Sequence, residues 1–251
     1  LSGSDELYEA LFARTGVIGV TNPAQFLETL KYLCVVDAPK GPRVAGFTCS
    51  GGGATMLADH AEKIGLDFSK VNADDHAALR DLLPDIATVS NPLDYTTPIW
   101  GQAERTYPVF AKAMDAVGAG AAVLVQDYPA EGLDASKGYY QNDADAFAKA
   151  TSERGIPAAI CATLPENLDK ETRRHLISLG VAPMQGIHET LNAMRDAGAS
   201  GPKKLGSNVA SIRVLGVTFV GRCVIILLPS GVIHVSAPPT RASPSTRSAA
   251  K

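Results

Sequence analysis

Over residues 40–198, short apolar runs alternate with longer stretches whose apolar side chains recur three and four positions apart. The runs at 44–47, 121–127, 157–162 and 181–184 are rich in valine, isoleucine and alanine. Their length and composition predict strands buried on both faces, as in a parallel sheet. The stretches between them predict helices. One runs on from Gly53 with Met56, Leu57, His60, Ala61 and Ile64 near one face; others span 102–117, 143–152, 169–179 and 187–197. Residues 66–68 read as an edge strand, and Asn72 to Asp75 cap a helix that runs to Pro84. Such alternation predicts an α/β, flavodoxin-like, doubly wound parallel sheet in three layers, built from about five strand–helix units.

The segment before residue 40 has elements of its own. Ser4, Asp5 and Glu6 open a helix to about residue 13, with Leu7, Leu11 and Phe12 inward, and 17–20 form a short strand. Thr21-Asn22-Pro23 starts a second helix, with Phe26, Leu27, Leu30, Leu33 and Cys34 at helical spacing. A polar loop at 37–42 closes this N-terminal helical segment (1–39) and leads into the flavodoxin-like domain (40–200).

Charge sets the tail, 201–251, apart. All 26 acidic residues precede Lys203 while seven of the 23 basic residues lie from Lys203 onward, so a body of −10 carries a tail of +7. Residues 209–235 are apolar and β-branched, and 237–251 are low-complexity Ala, Pro, Ser, Thr and Arg. The expectation there is disorder, or a reading-frame change in a truncated gene. The run from Cys223 to Leu228 is an aggregation hazard where exposed. The chain opens on Leu1 in a polar turn, which predicts a fragment of something longer.

A length of 251 residues provides ample chain for a core. The net charge of −3 does not favour a nucleic-acid or acidic-membrane partner. No uncharged apolar run reaches the ~18 residues of a membrane span. Cys34, Cys49, Cys161 and Cys223 show neither a C-x-x-C pair nor metal-ligand spacing. The first three sit in apolar runs and are expected to be buried, reduced thiols of a cytoplasmic protein.

Candidate chemistry gathers where the 44–47 strand gives way to a helix, at Ser50, Gly51, Gly52, Gly53, Ala54 and Thr55. Glycines here permit close backbone approach and positive φ, and the first helical amides are free to meet an anion. The same glycines also suit a plain connection in which they serve packing alone. SGGGAT matches neither G-x-G-x-x-G nor the Walker pattern. A second loop, 90–98, offers Asn91 and Asp94 between prolines, although Asp94 equally suits an Asx turn. The loops at 51, 91 and 128 leave carboxyl ends of predicted elements and are placed to meet in one crevice. His60, His76 and His175 read as structural or surface residues, and His188 as a helix-start residue near the crevice. With no G-x-S-x-G, no H-E-x-x-H and no diagnostic carboxylate pair, no catalytic residue and no metal ligand is assigned.

Three segments, SGSDELYEALFARTGVIGV, TCSGGGATMLADHAEKIGL and LPDIATVSNPLDYTTP, resemble in order the ADP-forming acyl-CoA synthetases, relatives of succinyl-CoA synthetase. The resemblance runs from Leu1 to about Ala199. It implies a CoA-binding Rossmann domain, two flavodoxin-like ligase domains and an ATP-grasp module in the family, with this segment similar to the second ligase domain. The family converts acid, CoA and ATP to acyl-CoA, ADP and phosphate through a phosphohistidine. That histidine precedes a helix like the one opened by Ser4, and none of the five histidines here takes its place. The resemblance implies a phosphate-facing helix start at Ser50 to Thr55 and a neighbouring loop at Asn91 and Asp94. It implies no cofactor for this segment itself; the complete enzyme would use CoA, ATP/ADP and Mg2+. The partners implied are phosphate and the CoA-binding and ATP-grasp parts. The alternatives are a non-catalytic domain of an acyl-CoA-binding regulator or protein acetyltransferase, and an inactive truncated gene product.

Overall fold

A computed structural model describes residues 4–15, 17–130, 132–199, 213–219 and 222–228. The N-terminal part forms α1 (Asp5–Thr15), β1 (Ile18–Val20) and α2 (Pro23–Val35). The body follows with β2 (Val44–Thr48), α3 (Gly51–Ile64), α4 (Ala73–Arg80), β3 (Leu93–Asp94), α5 (Ala103–Val117) and β4 (Ala121–Val125). It continues through α6 (Lys137–Arg154), β5 (Ala158–Ala162), α7 (Lys170–Ser178), β6 (Ala182–Gln185) and α8 (Ile187–Ala199). Five parallel strands pair in the order β3-β2-β4-β5-β6. Counted from β2 this is the flavodoxin-like order 2-1-3-4-5, whose switch point lies between β2 and β4.

Every residue of β2, β4 and β5 is buried, which is why these strands read as unbroken apolar runs. Val44, Val123, Cys161 and Met184 face a layer of α2, α3 and α8, meeting Tyr32, Leu57 and Leu191. Phe47, Leu124 and Ile160 face the other layer, meeting Leu79, Phe110, Phe147 and Leu176. There Phe47, Phe110 and Phe147 pack edge-on with centroids 5.0, 5.9 and 5.7 Å apart. Each such pair adds about 0.5–1.5 kcal/mol beyond its buried area.

Several boundaries differ from the sequence pattern. Residues 66–68 form no strand beyond a single Arg43–Asp67 bridge. The Asn91 side chain instead serves that edge of β2, accepting from the Gly46 amide (2.9 Å) and donating to the Val44 carbonyl (2.9 Å). The edge strand is β3, inside the expected loop, pairing Leu93 with Phe47 and Asp94 with Thr48. The helix after Asn72 stops at Arg80, whose guanidinium donates to the carbonyls of Pro84, Asp85 and Ala87 and ties the chain into a turn. α6 starts at Lys137, six residues before the expected 143, because its first turns are polar and carry no apolar period.

Burial departs from the pattern too. Leu7 and Leu11 are 71% and 51% exposed, so α1 does not turn them inward as expected. On α2 the buried face comprises Gln25, Glu28, Thr29, Tyr32 and Leu33, while Leu27 is exposed. The polar members are tolerated because the Glu28 carboxylate accepts from the Gln185 amide and from Lys31, fastening α2 to β6. Met56 is exposed, Cys34 is exposed, Cys49 is half-buried, and only Cys161 of the described thiols is fully buried. In the acid-free tail β7 (Arg213–Phe219) and β8 (Arg222–Leu228) pair antiparallel, and β8 joins β1 through Ile18–Ile225 and Val20–Cys223. The low-complexity end, 237–251, and Leu1 lie outside the described residues.

Candidate functional site

β2 delivers Thr48, Cys49 and Ser50 to the carboxyl edge of the sheet, and α3 departs at Gly51. The glycines form the first turn of the helix itself rather than a positive-φ turn, and none of them has φ above zero. Gly53 is required for close approach: a Cβ there would lie 2.6 Å from Thr48 Oγ1, whereas at Gly51 and Gly52 the nearest atoms are 3.6 Å away. The Ser50 amide is taken by Thr48 Oγ1 (3.2 Å), and Ala54 is the first helical amide bonded back, to Ser50 O (3.1 Å). Ser50 makes no side-chain cap. The amides of Gly51, Gly52 and Gly53 therefore have no carbonyl one turn behind them, and they carry the positive end of the helix dipole, roughly half a charge. The Thr55 hydroxyl donates to the Gly51 carbonyl (3.0 Å), back into the helix.

β3 sets Asp94 beside this start: Asp94 Oδ2 is the atom that a Cβ on Gly51 would meet. Asp94 Oδ1 accepts from the Thr96 amide (2.9 Å), the Asx arrangement. Thr96 is held at φ 66°, ψ 154°, a region nearly reserved for glycine and strained by about 1–3 kcal/mol. Its buried hydroxyl has no hydrogen-bond partner. Asn91, next to a cis Asn91–Pro92 bond, does not reach the glycines; its amide is filled by Val44, Gly46 and the Ser69 carbonyl.

Behind the glycines, Asp143 is fully buried and accepts from Tyr95 OH (2.9 Å), Thr106 Oγ1 (3.0 Å) and the Gly101 amide (3.1 Å). Burial pushes its carboxyl pKa up against those three bonds. Burial also pushes the Cys49 thiol up to about 11, reinforced by Asp143, Asp94 and Asp127, so Cys49 is a protonated thiol and a poor nucleophile at neutral pH. Asp127 closes the neighbouring loop, accepting from the Thr163 amide and hydroxyl and from Asn167. Tyr128 turns inward, its hydroxyl on Gln126 (2.7 Å). Asp143, Asp127 and Thr48 were missed as site residues in the sequence. The one available signal was a carboxylate at Asp143 beside the apolar Ala144, Ala146 and Phe147.

No family model matches the chain. The alpha subunit of the ADP-forming acetate–CoA ligase II of Pyrococcus furiosus is 34% identical over 102 residues, covering 41% of this chain and 22% of that protein. The alpha subunit of the ADP-forming acetate–CoA ligase I of the same organism is 29% identical over 96 residues, covering 38% and 21%. Over the matched residues the chain is similar to part of the ADP-forming acetate–CoA ligases. It spans about a fifth of the length of these curated relatives. The fold matches that of the crystallised Pyrococcus horikoshii OT3 protein PH0766 (TM-score 0.66, 20% identity, 79% of this chain and 44% of that one). It also matches the acetyl-coenzyme A synthetase 1 of Ca. Korarchaeum cryptofilum, solved in complex with phosphate and ADP (TM-score 0.62, 20% identity, 83% and 45%).

Elsewhere in this synthetase-like segment, a cavity of about 390 Å³ opens beyond β4 and β5, lined by Tyr128, Glu166, Asp169, Lys170 and Arg174 among others; the glycines do not line it. His60 and His188 stack on each other between α3 and α8, and His175 meets Asp145 at 2.8 Å. Among the described residues no helix is long and apolar enough to cross a membrane.

Proposed function

We propose that this chain is the second flavodoxin-like ligase domain of an ADP-forming acyl-CoA synthetase. Its part is to hold a phosphoryl group at the start of α3 while that group passes between acyl phosphate and ADP by way of a histidine supplied from elsewhere. The observation that carries this reading is the cluster of unbonded amides at Gly51, Gly52 and Gly53, set beside the switch point of the sheet. Fixed N–H dipoles facing a transferring phosphoryl group stabilise its charge without reorganising during the reaction. Homology to the ADP-forming ligases supports the reaction class.

The rest of the assignment follows from what the side chains here are able to do. Gly53 lets the first turn of α3 settle on Thr48, which holds the Ser50 amide and so fixes the direction of the next three. Ser50, Ala54 and Thr55 frame the site, whereas the Ala54 amide and Thr55 hydroxyl are bonded within the helix. Asp94 and the strained Thr96 border it, and Asn91 holds their loop to β2. Cys49 donates no electrons to the transfer, being protonated. Among the described residues no three His, Cys, Asp or Glu side chains come together as a metal cage. CoA and ATP would bind the CoA-binding and ATP-grasp parts.

Reading the coding DNA on both sides of this segment tests the assignment. A histidine-bearing segment and CoA-binding domain upstream, with ATP-grasp sequence downstream in any frame, is the expected result. An upstream segment without that histidine, or an adjoining acetyltransferase domain, overturns it in favour of a regulatory domain.

A further inference from the structure

Away from the glycine turn, α3 meets α8 through a polar contact that the proposed function does not use. The rings of His60 on α3 and His188 on α8 stack with centroids 4.0 Å apart and planes 15° from parallel. Asn192, one turn further along α8, donates from Nδ2 to the His188 carbonyl at 2.8 Å. A backbone carbonyl only accepts, so the atom facing it is the amide nitrogen. That same nitrogen lies 3.1 Å from His60 Nε2. It follows that Nε2 accepts, that the proton of the ring is on Nδ1, and that His60 is neutral in this arrangement.

We propose that His60, His188 and Asn192 form a proton-sensitive latch between α3 and α8, shut while His60 is neutral and released when His60 takes a proton. A proton on Nε2 would point at the N–H of Asn192 and remove the contact. It would also place an imidazolium against the His188 ring and near Lys63 of its own helix and Arg195 of α8, with Glu189 as the opposing anion. Arg195 is itself engaged by Asp196 at 2.8 Å. Among the strands packed on α3, β3 brings Asp94, which sits at Gly51, nine residues away from His60. Burial first, then His188 and Lys63, lower the proton affinity of His60 from its ordinary value of 6.5. An unfolded or opened chain thus takes this proton more readily than the latched one. The latch therefore contributes in full above about pH 6.5 and is lost as pH falls through the lower folded value. α3 is the helix whose first turn carries the three glycines, so the latch fixes the element that presents them.

Two measurements on the full chain test this. Long-range 15N NMR of the imidazoles should find His60 as the Nδ1–H tautomer at neutral pH, titrating below the ordinary histidine range. Amide hydrogen exchange of α8 and the His60 turn, corrected for intrinsic rates, should show opening that rises by up to about tenfold per pH unit below about 6.5. His60→Gln, whose Oε1 accepts from Asn192 without titrating, should abolish that rise. His60 found as the Nε2–H tautomer, or the same pH dependence in wild type and His60→Gln, overturns the latch; the tautomer measurement needs no variant to fold.

Discussion

The three glycines that open α3 look alike in the sequence, yet they meet different constraints. At Gly53 an added Cβ collides with Thr48 Oγ1 and Cβ, at 2.6 and 3.3 Å, whereas Gly51 and Gly52 have ordinary van der Waals room. Gly51→Ala and Gly52→Ala should leave stability unchanged or raise it by up to about 1 kcal/mol, since alanine is the better helix former. Gly53→Val should cost about 1–3 kcal/mol through overpacking. Urea unfolding of the three variants separates them; equal costs at all three positions would contradict the packing described. That glycines lie where a strand gives way to a helix was legible from residue types alone, whereas an anion role was one of two readings the same residues allowed. The division of labour among the glycines was not legible, since it depends on Thr48 lying beneath one glycine. Asp94 and Asn91 teach the same lesson. Their loop was readable from its prolines, but Asn91 turned out to serve the edge of β2, at a distance in sequence of 45 residues from Gly46.

At the scale of elements, caps were readable and lengths were not. Asn22, Asn72 and Asp169 cap α2, α4 and α7 through side-chain bonds to the third residue beyond, a local signal that sequence carries directly. The helix end at Arg80 was set by its side chain tying the turn just beyond, and the exchange of an expected strand at 66–68 for β3 by Asn91 reaching back to β2. The cap on α7 makes a pH prediction. Burial alone would raise the pKa of Asp169, but Lys137 at 2.8 Å and the Thr172 amide at 2.7 Å outweigh it and hold the carboxyl down to about 2. Because the folded value lies below the unfolded one, this contribution is complete above about pH 4 and is lost as pH falls towards about 2. Asp169→Ala should cost about 1 kcal/mol at neutral pH and flatten the acid limb of stability. Urea midpoints over a pH series check it; an acid limb as steep as that of wild type would contradict it.

For the whole molecule, alternation of buried runs with helical periods was enough to give a doubly wound parallel sheet, while the strand order 2-1-3-4-5 emerged only in the structure. That order matters for function, because it places α3 at the switch point, where such sheets bind ligands. The acid-free tail was legible as different in kind, but its pairing with β1 was not, since β1 has only three residues to signal it. The anion site proposed at the start of α3 rests on three amides with no carbonyl behind them. It is tested most directly by titrating the 15N-labelled chain with inorganic phosphate and following its backbone amides. Saturable shifts centred on Gly51, Gly52 and Gly53 are the expected result. Binding should be about 10–100-fold weaker in Gly51→Pro, which removes one N–H at a helix position that tolerates proline, after an extended Ser50. Phosphate that leaves these amides unmoved, or binds Gly51→Pro as tightly as wild type, would contradict it.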